Sequence, residues 1–411
     1  MNLKRRITLL RTQSGHADGA PSAAAPPQPS FKERVEQLRR PENPRTPMAA
    51  CERDTALAQR LNGRLVADGL IEVDDVFPLA HAHGHRPLAR LLDAPLGTLA
   101  PGGASDPEGL LLVDTETTGL AGGTGTIAFL LGLGRIERAG LRVRQLFLTR
   151  FSGEGALLAR ALEWFQAANT IVSFNGKCFD LPLLATRYRL HRMQAPFQPL
   201  GHLDLLHATR RLFSKSWADC RLRTAEERFL GFIRTDDLPG HLVPVAWSAF
   251  LRTGDLRSIP AVLEHNRWDI VSLAALAAEL AHLYGSATHP EADLVAVARQ
   301  KIASGRLQEA AEHLNGHGGR LTTPAWQLLA NEYRRQGRHA QAMAIWEALA
   351  ARGSNEAMED LAKHHEHVRK DYARALDYTR ALLEQAPGEA RHGQRQARLM
   401  AKARRAGLLP K

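Results

Sequence analysis

The sequence predicts an α/β fold, a mixed β-sheet covered by helices, followed by an all-α region. Three observations carry this prediction. From Leu110 the chain offers three apolar, strand-like runs, LLLVDTE, TIAFLLGLGRI and RVRQLFLTRF, separated by the turn sequences GLAGGTG and ERAG. A helical stretch over 154–168, a fourth strand, TIVSF, and a helix through FDLPLLATRYRL then alternate. Beyond about residue 290 the pattern is helical throughout and repeats itself.

The chain has 411 residues, enough for two or more domains. Apolar and charged contents of 44% and 24% are those of a globular protein, and no apolar run approaches the ~18 to 20 residues that span a bilayer. The opening MNLKRRITLL is basic, but its apolar stub is too short for a secretory signal. Cys51, Cys178 and Cys220 are few, widely spaced and without a CxxC pair, which excludes a disulfide framework and a zinc cage and fits a reducing cytoplasm. A net charge of +11 favours polyanions, nucleic acid above all.

Residues 1–50, with PSAAAPPQPS and PENPRTP, cannot bury a core and read as a disordered basic arm. Residues 51–105 form an N-terminal extension of short helical patterns that ends in HAHGHRPLARLL and a Pro/Gly stretch. His81, His83 and His85 lack accompanying ligands there, which favours a structural role over a metal tract. The α/β domain occupies 106–285. The Gly-rich loop Gly119–Gly125 lacks the GxxxxGK[ST] lysine and precedes an apolar strand, so it reads as a hairpin turn and not as a phosphate cradle. After the helix through FDLPLLATRYRL, everything to Tyr284 reads as helical. Cys178, in SFNGKCFD, reads as a small core residue.

In the C-terminal region GRLQEAAEHL, GRHAQAMAIW and KDYARALDYT recur every 32 to 33 residues, close to the ~34 of a tetratricopeptide repeat. Trp326, Leu329, Tyr333, Ala342 and Trp346 stand in the expected register, and Pro387 closes the last unit. This gives tetratricopeptide-like repeats over 290–390, a surface for a protein partner, and a basic tail over 391–411. The alternative is a plain helical bundle. His364, His365 and His367 read as a solvated helix face.

The chemistry begins at LLLVDTETTGL. Asp114 and Glu116, at i and i+2 of a strand, point to one face roughly 6 to 7 Å apart, and two like charges so placed call for a cation. Asp180, in SFNGKCFDLPLL, and Asp269, in EHNRWDIVSLAAL, are carboxylates embedded in apolar sequence, where an uncompensated charge is costly. Hard oxygen donors of this kind suit Mg²⁺ or Mn²⁺.

The order DTE, NxxxFD, HNxxD resembles the DEDD exonuclease superfamily, whose fold is RNase H-like. DTETTGL, FNGKCFDLPLL, LRTAEERFLG, DDLPG and HNRWDIVSL together are most similar to the YprB-type ribonuclease H-like exonuclease domain, and the helical tail resembles that family's arrangement. The resemblance covers about 106–285. It implies that Asp114, Glu116, Asp180 and Asp269 hold two divalent cations, Mg²⁺ or Mn²⁺, for hydrolysis of phosphodiester bonds. It also implies a 3′-to-5′ exonuclease acting on single-stranded DNA or RNA.

His265 departs from the superfamily pattern. It stands four residues before the last Asp, the tyrosine branch's position, and carries the histidine branch's chemistry. An imidazole there is a candidate general base for the attacking water. Thr117, Asn175, Asn266 and Arg228 are candidate substrate contacts, Asn175 and Asn266 also being able to bond a neighbouring carboxylate. Asp204 is either a support for the ligands or an ordinary helix-start residue. Arg210, Arg211, Lys215, Arg221, Arg223 and Arg234 are candidate phosphate contacts. The rival expectations are a metal-dependent endonuclease on the same fold and an inactive nucleic-acid-binding scaffold with partner-recruiting repeats.

Overall fold

LLLVDTET forms an interior strand of a seven-stranded sheet in the computed structural model, which describes residues 50–99, 106–119, 125–285, 289–316 and 323–408. In chain order the strands are β1 (Arg64–Ala67), β2 (Leu70–Phe77), the short pair β3 (Ala82–His83) and β4 (Arg86–Pro87), β5 (Leu110–Thr117), β6 (Ala128–Glu137), β7 (Gly140–Leu148), β8 (Thr170–Ser173) and β9 (Gly201–Asp204). The large sheet runs β1-β2-β7-β6-β5-β8-β9, with β3 and β4 forming a separate two-stranded piece. β5, β6 and β7 pair antiparallel, while β8 and β9 run parallel to β5. The parallel strands therefore end on one edge, and there the DTE motif, the loop after β8 and the end of β9 meet. Ligand sites of α/β sheets lie at such carboxyl edges.

The helices of this unit are α1 (Ala50–Arg60), α2 (Glu154–Gln166), α3 (Asp180–Leu190), α4 (Leu205–Phe213), a short α5 (Leu222–Ala225) running into a π-turn (Glu226–Leu230), α6 (Val243–Thr253) and α7 (Ile259–Gly285). α7 is about 40 Å long at 1.5 Å per residue. Its apolar residues are buried from Ile270 to Tyr284, as are Val262 and Leu263, and it packs across β5, β6 and β7. One core joins the sheet to α2, α3 and α6 through Phe129, Phe147, Phe165, Leu184, Tyr188, Trp247 and Phe250. Among the described residues no helix is long and apolar enough to cross a membrane.

Two expectations about elements are corrected. The extension predicted as short helical patterns supplies α1 and then β1 and β2, with β2 paired antiparallel to β7 from Leu70↔Leu148 to Phe77↔Leu141. Acidic residues concealed that strand. Glu72 is buried, and arginines from elsewhere, Arg64 at 2.7 Å, Arg144 at 3.4 Å and Arg160 at 2.8 Å, surround it. The segment after α3, predicted as helical, contains β9, held as a strand by parallel pairing of Gly201 to Thr170 and Asp204 to Ser173. Tertiary pairing here overrides local pattern. The expected basic arm and most of the Gly119–Gly125 turn lie outside the described residues.

A second compact unit begins at Asp293 and is all helical: α8 (Leu294–Ala303), α9 (Leu307–Gly316), α10 (Thr323–Arg335), α11 (His339–Ala350), α12 (Asn355–His364), a π-turn (His365–Arg369), α13 (Tyr372–Gln385) and α14 (Ala390–Arg405). Sequential helices pack as hairpins, and the repeated segments supply α9, α11 and α13. Left-handed residues at Gly305, Gly337 and Lys370 precede them at matching positions, so each hairpin turns by the same backbone device. Leu329, Tyr333, Ala342 and Trp346 are buried in the shared core. Two readings differ from the structure. The basic tail is largely the helix α14, packed on α13 through Leu399 and Ala403. His364 and His365 are buried at 4% and 2% exposure, against His339 and Trp346 of α11 and Tyr378 of α13.

Candidate active site

The DTE motif sits where β5 leaves the core, and each of its residues meets a different partner. Asp114 pairs across the sheet with Gly132 of β6, which pairs with Gln145 of β7. Over this row lies Asn266 of α7. Gln145 Nε2 donates to Asn266 Oδ1 at 2.8 Å and to the Leu263 carbonyl at 2.7 Å, and Asn266 Nδ2 donates to Asp114 Oδ2 at 2.8 Å. The seat exists because residue 132 is glycine. A Cβ there would stand 2.5 Å from Asn266 Oδ1 and 2.8 Å from its Nδ2. One carboxylate oxygen of Asp114 is thus held and the other left available.

α7 brings His265 and Asp269, one turn apart, against Glu116. His265 Nε2 lies 3.8 Å from Glu116 Oε1 and 3.7 Å from Asp269 Oδ2, and potential ligand atoms of these three residues fall within 4.8 Å of one another. Asp269 Oδ1 is taken by Arg234 Nη2 at 2.5 Å, which leaves Oδ2 facing the cluster. Asp180, at the start of α3, is held through Oδ1 by the Thr115 hydroxyl, the residue between Asp114 and Glu116. Asp114, Asp180 and Asp269 therefore each have one oxygen fixed by a neutral or cationic donor. Such supports orient ligating carboxylates.

The electrostatics match this crowding. Burial, then the charges of Asp269, Glu116 and Asp180, raise the Asp114 carboxyl well above the ordinary range. Burial pushes Glu116 up to about 8, with Asp269 and Asp180 adding to it and His265 opposing. Burial lifts Asp180 to about 6 against the Thr115 hydrogen bond, with Asp204 contributing to the rise. For His265 burial pulls the other way, but Asp269, the hydrogen bond to Asp237 and Glu116 outweigh it and hold the imidazole at about 9. Buried carboxylates that destabilise one another in the ionised state are the environment in which a divalent cation is bound. The all-oxygen donor set of Asp114, Glu116, Asp180 and Asp269 fits a hard ion.

Behind the cluster lies a buried ionic network. Arg234, at 9% exposure, pairs with Glu226 at 2.5 Å, Asp269 at 2.5 Å and Asp237 at 3.6 Å, and these carboxylates raise its pKa although burial opposes. Ser272 of α7 donates to Glu226 and meets His83 Nε2 at 2.8 Å. His83 is fully buried, stacks on Phe232 with ring centroids 3.9 Å apart, and is driven down to about 3 by burial and the neighbouring His81 and Arg234. His83 is thus structural packing beneath the site.

Other expected residues fall as follows. Asn266 is buried and its amide consumed by Gln145 and Asp114, so it braces a carboxylate and is not a substrate contact. Asn175 has a left-handed backbone, φ 69°, which explains an asparagine at this turn. Asp204 caps α4 at Leu206 N and also accepts from Asn175 N at 2.7 Å and Lys177 N at 3.1 Å, tying down the loop that precedes Asp180. Thr117 donates to the Gly119 carbonyl at 3.2 Å just beyond a register shift in β5. Arg228 bonds Glu291 and lies over Trp217, 5.8 Å from the ring centroid, so its partners are not the carboxylates. Arg234 is an internal ion-pair partner and not the phosphate contact expected of it. Cys178 is exposed on the loop before Asp180, because the core position goes to Leu184 of the following helix.

Sequence reasoning missed Asp237, whose carboxylate bonds His265 Nδ1 at 2.8 Å. Burial opposes the ionised form of Asp237, but the hydrogen bond and charge of His265 and the charge of Arg234 prevail and lower its pKa. The signal was present in DDLPG, a motif with no partner visible until the loop folds onto α7.

Comparison with known proteins agrees with this architecture. The model of a family described as the RNase H superfamily matches residues 111–281. The chain is also similar to the protein named uncharacterized protein YprB of Bacillus subtilis (strain 168), with 31% identity over 333 residues, 75% of this chain and 79% of that one. A matching domain that begins at the DTE strand and ends within α7, in a relative aligned over most of both chains, places this protein in the RNase H superfamily as a member of the YprB family.

Proposed function

We propose that the protein is a metal-dependent nuclease that hydrolyses phosphodiester bonds by a two-metal-ion mechanism, acting as a 3′-to-5′ exonuclease on single-stranded DNA or RNA. Membership of the RNase H superfamily supports nuclease-type chemistry. The observation that carries the reading is the cluster at the carboxyl edge of β5, in which Glu116, His265 and Asp269 crowd together beside Asp114 and Asp180. Asp114, Glu116, Asp180 and Asp269 would hold the divalent ions, Mg²⁺ or Mn²⁺. When bound, these ions stabilise negative charge on the attacking and leaving oxygens of an in-line displacement.

The protein's own groups then have distinct tasks. Asn266, Thr115 and Arg234 each occupy one oxygen of a carboxylate and leave the other for ligation. His265 presents Nε2 toward Glu116 and Asp269; with divalent ions bound to offset the carboxylates that otherwise hold the ring protonated, it would accept a proton from the attacking water. Polarity and the preference for strand ends come from family likeness. Recruitment of a protein partner by the helical hairpins, as tetratricopeptide-like repeats, is part of the same proposal.

The test compares wild type with Asp114→Ala and Asp269→Asn on end-labelled single strands and on closed circles, with Mg²⁺ or Mn²⁺. Mononucleotide products that disappear in both variants are expected. Cleaved circles would instead indicate an endonuclease, and wild type without metal-dependent activity would leave a binding scaffold as the better account.

A further inference from the structure

We infer that Asp237 is a positioning residue that fixes the tautomer of His265, and that Arg234 makes this role specific to a carboxylate. The inference rests on the reading of His265 as the general base. Asp237 Oδ1 is 2.8 Å from His265 Nδ1, and its side chain is 7% exposed. A carboxylate only accepts hydrogen bonds, and at 2.8 Å it lies nearer Nδ1 than the donor Arg234 Nη1 does at 3.5 Å, so the neutral imidazole carries its proton on Nδ1 and keeps the lone pair of Nε2 toward Glu116 and Asp269. The second oxygen of Asp237 faces Arg234 Nη1 at 3.6 Å, a group that only donates. Both oxygens of Asp237 are therefore met by donors.

An amide in this place reverses the outcome. Asparagine at 237 turns its oxygen to the Arg234 guanidinium, because the opposite orientation sets an NH₂ group against a cation. Its NH₂ then donates to His265 Nδ1 and drives the imidazole proton onto Nε2. In the wild-type step a water O–H bond breaks and its proton goes to Nε2. The water oxygen bonds to phosphorus as the bond to the leaving 3′-oxygen breaks, and that oxygen takes a proton from solvent. With Nε2 already protonated, the first transfer has no acceptor. Alanine at 237 removes the bond and leaves only the longer contact of Arg234 Nη1 with Nδ1, 3.5 Å, to bias the ring, so it retains a productive fraction.

The prediction is an inverted order of severity. A role in packing alone makes isosteric Asp237→Asn milder than Asp237→Ala, whereas tautomer control makes it harsher. In the full chain with Mn²⁺ and an end-labelled single strand, Asp237→Asn is expected to lower kcat by about 10²- to 10⁴-fold, more than Asp237→Ala, with KM changed only a few-fold. A second readout needs neither metal nor substrate. In ¹⁵N-imidazole spectra recorded above about pH 9, where His265 is neutral in the metal-free protein, its resonance, identified by loss in His265→Gln, passes from the Nδ1–H to the Nε2–H pattern in Asp237→Asn. An unchanged tautomer, or Asp237→Asn more active than Asp237→Ala, overturns the proposal while the base reading stands if His265→Gln is impaired. If His265→Gln hydrolyses as wild type does, the base reading itself fails, and the proposal with it.

Discussion

Gly132→Ala is the smallest change that separates the braced site from the surrounding core. The added methyl would stand 2.5 Å from Asn266 Oδ1, 2.8 Å from Asn266 Nδ2 and 2.9 Å from Ile270 Cγ1, all below tolerable contact. Asn266 must withdraw, which breaks its bonds to Gln145 and Asp114. Overpacking costs about 1 to 3 kcal/mol, and a bond to a charged group contributes about 1.5 to 3 kcal/mol, so a loss of roughly 3 to 5 kcal/mol is expected. For a unit of this size that lowers Tm by roughly 6 to 20 °C. Gly134→Ala is the control. Its methyl meets Ile270 Cγ2 at 2.5 Å, Leu112 Cδ1 at 3.0 Å and Leu112 Cβ at 3.2 Å, so its nearest contacts are apolar and it destabilises by overpacking. Thermal unfolding of the full chain with and without Mn²⁺, together with calorimetric Mn²⁺ titration, reads both effects. Gly132→Ala should lose stability and Mn²⁺ affinity together, while Gly134→Ala should lose stability and keep most of its affinity. A Gly132→Ala protein that binds Mn²⁺ like wild type would show that the Asn266 bridge does not position Asp114.

Removing Arg234 as Arg234→Met strands the buried Glu226 and should cost about 3 to 5 kcal/mol in denaturant unfolding. Adding Glu226→Gln should recover part of that stability but not the Mn²⁺ affinity, since Asp269 still lacks its holder; recovery of both would refute the positioning role. Asp204→Ala removes a helix cap and the acceptor for Asn175 N and Lys177 N, so a loss of about 2 to 4 kcal/mol and weaker Mn²⁺ binding are expected. Unaltered Mn²⁺ binding would disconnect this loop from Asp180. In the helical unit burial opposes ionisation of Glu366, but bonds from Arg398 and Lys402 at 2.8 Å hold its pKa down at about 2. Depressed from 4.5, this carboxylate stabilises the fold above about pH 4.5 and loses that contribution as pH falls toward 2. The shift corresponds to at most about 3 kcal/mol, reduced to about 1 to 2 because Arg398 is half exposed. Hydrogen exchange over 355–405 between pH 7 and pH 3 should show this loosening, and Glu366→Gln should abolish its pH dependence.

The residues that chemistry singles out by type and setting, Asp114, Glu116, Asp180, His265 and Asp269, could be read from the sequence because carboxylates in apolar runs are costly and conspicuous. The core strands β5 to β8 were visible for a related reason, since their apolar runs are nearly continuous. What escaped depends on contacts distant in sequence. β2 was hidden because Glu72, Asp74 and Asp75 interrupt its apolar pattern, and the arginines that neutralise Glu72 come from β1, β7 and α2. Asp237 drew no role and Arg234 only that of a phosphate contact, because their partners lie on α7. His364 and His365 looked solvated because the rings that cover them, His339, Trp346 and Tyr378, come from other helices.

The pairing of β2 with β7 also sets where this protein can be cut. The matching superfamily region begins at residue 111, beyond α1, β1, β2 and His83. A fragment trimmed to that boundary would present β7 as a bare apolar edge, with Val143, Leu146, Phe147 and Leu148 in a strand ready to pair with another chain. It would also remove the imidazole that bonds Ser272 beneath Arg234. Residues 50–99 supply the closing edge of the sheet, and a boundary at residue 111 would sever it from β7.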